Sequence, residues 1–247
     1  MERKNCLIEV CVDSMESVYA AVRGGADRLE LCANLIIGGT TPSPYLIRAA
    51  VKTGVPVNVL IRPRFGDFLF TEAEKQEQLE QIAQLKALGA HGAVVGALLE
   101  DGSLDAAFLR ECRHAAKGLR LTLHRAFDVC RDPFEALETA VELGFDTILT
   151  SGQRAAAMEG TALIAQLVAR AGSRLTIMPG SGVNAGNIAA ICKETGAHAF
   201  HLSAKKTVQS DMVFRKEGVP MGLPMMSEFE RFITDEAAVR AAKAALL

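Results

Sequence analysis

The sequence predicts a single-domain α/β protein, a (β/α)8 TIM-type barrel spanning residues 1–247. Three observations carry that expectation. Short β-branched or apolar runs alternate with longer helical patterns, and strict βαβα alternation implies a parallel sheet. Eight strand–helix pairs can be marked, and 247 residues shared among eight give about 31 each, the size of a βα repeat with its loops. The total length is also the usual size of this barrel in one domain. The open doubly wound alternative usually carries a GxGxxG turn after its first strand. Here that turn is Cys11-Val12-Asp13-Ser14, with no glycine.

In chain order, the first strand is expected at 7–11 with a helix at 14–23, and the second strand at 28–32. The turn Gly38-Gly39-Thr40-Thr41-Pro42-Ser43 then leads to a helix at 44–52, capped by Ser43 before Pro44. It can also be read as a loop closing over a pocket. The third strand, 57–61, runs into Arg62-Pro63-Arg64 and Phe65-Gly66-Asp67-Phe68, followed by a helix at 71–88 that ends at Leu88-Gly89. A strand at 92–96 and a helix at 104–116 form the fourth unit. The fifth strand, 120–124, continues as His124-Arg125-Ala126-Phe127-Asp128, and Asp132-Pro133 opens a helix at 133–143 that ends at Leu143-Gly144. The sixth strand, 146–150, leaves through Thr150-Ser151-Gly152-Gln153 to a helix at 156–171. The seventh, 174–178, leaves through Pro179-Gly180-Ser181-Gly182 to a helix at 185–195. The eighth, 199–203, is followed by a long loop over 205–232 and a last helix at 236–246, capped by Thr234 or Asp235.

Composition narrows the function. Lys and Arg number 27 against 29 Asp and Glu, a net charge of −2, so no excess of positive charge suits a nucleic acid. An apolar fraction of 49% with only 8 prolines excludes a largely disordered chain. No apolar run approaches the roughly 18–20 residues that span a bilayer. The N-terminal stretch is too short for a signal segment, and Cys6, Cys11, Cys32, Cys112, Cys130 and Cys192 are scattered without a CxxC pair. A cytosolic chain with free thiols is expected.

Strand alternation then sorts side chains. Ile8, Val10, Leu29, Leu31, Val57, Val59, Ile61, Leu121, Leu123, Phe200 and Leu202 form the set that must pack outward on the helices. The same parity sends Glu9, Cys11, Glu30, Cys32, Asn58, Leu60, Arg62, Thr122, His124, His201 and Ser203 inward. Most of the ionisable ones stand near C-terminal strand ends, where active sites of this fold lie. Buried unpaired charge is costly, so this set must be paired, for instance Glu9 with Arg62, or hydrated in a pocket. A structural ion-pair plug inside the barrel is the bland alternative.

Several rim features suit a small anion. Glycine-rich turns after strands seven and eight often bind phosphate in this fold, which points to Gly180, Gly182 and Ser203, although a Gly-Ser-Gly run also makes a plain tight turn. The guanidinium forks of Arg62 and Arg64 suit carboxylate or phosphate. Cys11 and Cys32 fall at matching ends of adjacent strands about 4.8 Å apart. They fill space, bind a soft metal such as Cu(I), or form a redox disulfide; zinc spacing is missing. Met212, Met221, Met225 and Met226 crowd the long loop, more in keeping with an apolar lid or subunit contact than with a thioether relay.

Taken together these motifs resemble the CutC family of copper homeostasis proteins. The matching pieces are Glu9-Val10-Cys11 with Asp13-Ser14, Gly24-Gly25-Ala26-Asp27-Arg28-Leu29-Glu30-Leu31-Cys32, Gly38-Gly39 with Thr41-Pro42-Ser43, Ile61-Arg62-Pro63-Arg64 with Gly66-Asp67-Phe68, His124 to Asp128, Leu149-Thr150-Ser151-Gly152, Met178-Pro179-Gly180, and His201 with Ser203-Ala204. The resemblance implies the barrel, a cytoplasmic homodimer or homotetramer, and Cu(I) ligation by Cys11 and Cys32. Phe65 and Ser181 stand where many relatives have glycine, and Ile37 where many have an acid, so pocket shape and charge differ here. Two functions are therefore carried forward. One is a copper-handling protein. The other is an enzyme on a small anionic sugar or sugar phosphate, with Arg62, Arg64, Ser151, Gly180, Gly182, His201 and Ser203 holding the anion. In it Glu9, Glu30 and His124 serve as acid and base, and Asp128 orients a histidine or arginine. No lysine is expected inside the rim strands, which disfavours Schiff-base chemistry.

Overall fold

A computed structural model describes residues 6–216, 218–219, 221–223 and 227–247. Eight parallel strands run β1 (Leu7–Val12), β2 (Arg28–Leu31), β3 (Val57–Leu60), β4 (Gly92–Val95), β5 (Arg120–Leu123), β6 (Thr147–Thr150), β7 (Thr176–Pro179) and β8 (Ala199–Leu202). Their order is β7-β6-β5-β4-β3-β2-β1-β8. Strands β7 and β8 lie side by side without a hydrogen-bonded ladder, so the barrel is nearly closed. The helices are α1 (Met15–Gly24), α2 (Pro44–Val51), α3 (Glu72–Leu85), α4 (Ala106–Ala115), α5 (Pro133–Glu142), α6 (Thr161–Ala171), α7 (Ile188–Thr195) and α8 (Glu236–Ala244). Their starts follow local chemistry. Ser14, Ser43, Thr71, Asp105, Asp132 and Asp235 each cap a helix by accepting a backbone N–H, and Thr71 with Glu74 forms a capping box.

The outward assignments hold. Ile8, Val10, Leu29, Leu31, Val57, Val59, Ile61, Leu121, Leu123, Phe200 and Leu202 are all buried in one core between strands and helices. Inside the barrel, Cys32, Leu60 and Val94 form a separate small cluster.

Two expectations need correction. The segment after β8 is not a simple loop: Lys205–Gln209 (β9) and Glu230–Thr234 (β10) pair as an antiparallel hairpin beside α1. Met212 and Met221 are exposed on the chain joining them, and Met225 and Met226 lie outside the described residues. The sixth helix begins at Thr161 rather than 156, because the chain after β6 folds back on itself. A Cβ on Gly160 would lie 2.0 Å from the Ser151 carbonyl oxygen and 2.9 Å from Gly152 Cα. Both are backbone contacts that cannot swing aside. Gly160→Ala is therefore expected to destabilise by about 1–3 kcal/mol, the cost of overpacking. Denaturant unfolding measures it, and a midpoint equal to wild type would refute this packing.

Candidate functional site

Apart from half-buried Ser203, the inward polar residues are buried, and with half-buried Asp128 the candidate site residues gather in three groups. In the first, β1 supplies Glu9, fully buried at the centre of the barrel. Its carboxylate accepts from Arg28 Nε at 2.5 Å, Asn58 Nδ2 at 3.1 Å and His201 Nδ1 at 2.9 Å. Register explains this: Glu9 lies beside Arg28 in the β1–β2 ladder and beside His201 in the β1–β8 ladder. The partner of Glu9 is thus Arg28, not Arg62. Arg28 shares the inward parity of Glu30 and Cys32, so the signal was in the sequence.

Glu30 completes this group. Donor atoms of Glu9, Glu30 and His201 lie within 4.8 Å of one another, while Glu30 Oε2 is buried with no hydrogen-bond partner. The two carboxyls diverge. Burial pushes Glu9 up, but Arg28 and the bond to His201 outweigh it and hold Glu9 at about 2. Burial dominates at Glu30, reinforced by Glu9, and raises it to about 7. Burial alone would lower His201; the neighbouring Cys11, Glu30 and Glu9 instead raise it well above its ordinary 6.5. Arg28 and His201 already supply the positive charge opposite Glu9, so this trio does not require a cation.

The cysteines adjoin this group. Cys11 Sγ donates to the Leu202 carbonyl at 3.6 Å and Cys32 Sγ to the Val12 carbonyl at 3.4 Å. Burial, with Cys11 and Glu30 nearby, pushes the Cys32 thiol well above its usual value. Gly39 sits on it, since a Cβ there would meet Cys32 Cβ at 3.5 Å and Leu60 at 2.7 Å. Cys11 instead lines a cleft of about 570 Å³ between the 34–37 turn and the β9–β10 hairpin, together with Asp13, Ser203, Lys205 and Phe232. Ser203 thus joins the cysteine side of the rim.

Arg62 and His124 form a second group, across β3 and β5, and burial with the Arg62 charge lowers His124 to about 3. Arg64 does not join it. Its side chain bonds Glu74 at 2.7 Å and Asp67 at 3.0 Å and clamps the 65–69 loop.

The third group surrounds Asp128. Its carboxylate accepts from Arg125 Nε at 2.7 Å, Thr150 Oγ1 at 2.5 Å, Ser151 N and Oγ, and Gln153 N. Asp128 therefore orients an arginine, and pins Ser151 and the chain after β6. The Gly180 N–H is likewise spent, on the Thr150 carbonyl at 2.9 Å. Gly182, in the left-handed region at φ 71°, offers its carbonyl to Asn184 and Asn187. For Gly180 and Gly182 the tight-turn reading fits the geometry. Sequence reasoning placed Asn58 inward without giving it a role, and missed Arg28 and Arg125 as members of these groups.

Fold and site define a class: a nearly closed (β/α)8 barrel with a buried ionic interior and a thiol facing a rim cleft. The comparisons narrow it. The model of the CutC family matches residues 6–206, which include all eight barrel strands. A family protein CutC of Parabacteroides distasonis is 52% identical over 238 residues, 95% of this chain and 98% of its own length. The human copper homeostasis protein cutC homolog is 44% identical over 236 residues, covering 95% of this chain and 86% of that protein. The crystal structure of CutC from Streptococcus agalactiae superposes with a TM-score of 0.77 at 34% identity, over 80% of this chain and 98% of the other. The chain belongs to the CutC family, the copper homeostasis family that its motifs resemble.

Proposed function

We propose that this chain handles copper by holding Cu(I) between the thiolates of Cys11 and Cys32. The observation that carries the reading is their placement: inward Cys11 on β1 and Cys32 directly after the end of the neighbouring strand β2, with Cys11 facing the rim cleft. Soft thiolate donors and low coordination number suit Cu(I). Zinc fits poorly, because structural zinc takes four ligands and, among the described residues, no third His, Cys, Asp or Glu donor clusters with both thiols. Ligation displaces a proton from each thiol, and the raised Cys32 makes that demand larger, so affinity is expected to strengthen as pH rises. Competition for Cu(I) against a chromogenic chelator tests this. Wild type should hold one equivalent, and a Cys11→Ser/Cys32→Ser variant should lose it; equal retention by both would sink the proposal.

We also read the protein as cytoplasmic and as a homodimer or homotetramer. The free thiols of Cys11, Cys32, Cys112, Cys130 and Cys192 support a reducing compartment, and exposed Tyr45, Phe65 and Phe214 support a contact between copies. No helix among the described residues is long and apolar enough to cross a membrane.

A second reading, acid–base catalysis on a small anionic sugar or sugar phosphate, is favoured by one observation. Glu30 is buried, raised by burial to about 7 and unpartnered at Oε2, beside a carboxylate held ionised. Carboxyls driven apart in this way suit a general acid and an electrostatic partner. In this reading Glu30 is the acid, His201 its proton partner, and Glu9 the group that orients His201.

A further inference from the structure

Arg62 is a buried guanidinium with no carboxylate in ion-pair reach among the described residues. Its Nη1 donates to the Gly38 and Gly39 carbonyls, both at 3.3 Å, and its Nη2 to the Gly66 carbonyl at 2.7 Å. Carbonyl dipoles and the face of the Phe68 ring, not a carboxylate, meet its charge, and Nε has no partner. His124 is 5% exposed, and its Nδ1 accepts from the Ala126 N–H at 3.1 Å. That bond fixes the neutral tautomer with its proton on Nε2, which is also buried without a partner. Two orphaned donors, one of them on a guanidinium without a carboxylate partner, thus belong to side chains that both lie against the Phe68 ring. Buried donors go unsatisfied only at a cost, and a site that keeps them is shaped for something that accepts.

Two glycines leave room for these side chains. A Cβ on Gly96 would lie 2.5 Å from the His124 ring, and one on Gly38 would lie 3.0 Å from Arg62 Nη1. The Phe68 ring covers both, with its centroid 4.9 Å from the guanidinium carbon and 4.9 Å from the imidazole centroid. The backbone of Phe68 is held by a bond from Leu98 N–H at 2.9 Å, and Arg64 clamps the residues on either side. With the backbone held, a change at this position falls to the half-buried ring, which packs against the edge of the core.

We propose that Arg62 Nε and His124 Nε2 form an oxyanion site for the carboxylate or phosphate group of a small ligand, gated by the Phe68 side chain. It supplies an anion subsite for the acid–base reading and deepens it, while binding itself requires neither turnover nor copper. The ligand's oxygens accept from both donors and meet the Arg62 charge, and a neutral histidine donor beside a cation selects an oxyanion over a metal ion.

The test is a titration of copper-free protein, reading the His124 Nε2 resonance by long-range ¹H–¹⁵N correlation. One arm uses inorganic phosphate and the other a small dicarboxylate. The expected result is a saturable shift in at least one arm, and that arm names the anion. Phe68→Ala should bind several-fold more tightly, and Arg62→Met at least tenfold more weakly. Absence of a saturable shift in both arms overturns the proposal, and that readout uses the unaltered protein. Unchanged affinity in Arg62→Met also overturns it. Anion binding without turnover of any sugar phosphate would support this site and count against the acid–base reading.

Discussion

Arg28→Met is expected to cost about 3–5 kcal/mol, the penalty for leaving one member of a buried ion pair uncompensated. Glu9 is fully buried, and its other partners, Asn58 and His201, do not replace a guanidinium bond at 2.5 Å. For a chain of this size that corresponds to a fall in Tm of roughly 10 °C. The double variant Glu9→Gln/Arg28→Met should recover much of the loss, since removing both charges removes the desolvation problem. The acid limb should move too. Glu9 is held at about 2 in the native protein against an ordinary 4.5. Its contribution is thus complete above about pH 4.5 and lost as pH falls toward 2. Without Arg28 that loss should begin at higher pH. Thermal unfolding across pH 2–7 measures both effects, and a Tm within a degree or two of wild type would show that Glu9 does not depend on Arg28.

Glu30→Gln should act in the opposite direction, and only above acid pH. Burial raises the native Glu30 to about 7, so the folded state favours the neutral acid. Its stabilising balance is complete below about pH 4.5 and disappears as pH rises through 7, where a charge must form in the barrel interior. The difference of roughly 2.5 pH units is worth about 3 kcal/mol. Wild type should lose stability between pH 5 and 8, and Glu30→Gln should not, so the variant should be the more stable protein at pH 8. Denaturant midpoints at pH 5, 6.5 and 8 test this. Parallel pH profiles for the two proteins would mean that Glu30 ionises freely.

The barrel was legible because outward residues obey one strong rule. They must face helices, so Ile8, Val10, Leu29, Leu31 and their counterparts are apolar at every second position, and parity alone then finds the inward set. Parity does not give partners. Glu9 meets Arg28 rather than Arg62 because strand register places Arg28 directly beside it, whereas Arg62 lies two strands away and higher on the rim. The hairpin escaped for a different reason. Lys205–Gln209 is mostly exposed, so no apolar alternation marks it, and its pairing strand comes about twenty residues later. Asp128, Arg64 and Gly180 carry the residue types of a binding site. Their donors and acceptors are consumed by neighbouring loops, which only three-dimensional contacts reveal. The expected single convergence of acids, arginines and histidines is in fact divided. Glu9, Glu30, Arg28 and His201 gather near the cysteines, while Arg62 and His124 stand apart beneath Phe68.

The proposal that Cys11 and Cys32 together take Cu(I) is tested most directly by copper X-ray absorption on protein loaded with one equivalent of Cu(I) under reducing conditions. Two sulfur neighbours are expected in wild type, with one sulfur lost in Cys11→Ser and one in Cys32→Ser. A first shell of nitrogen and oxygen only, or a sulfur shell unchanged in the double variant, would contradict it.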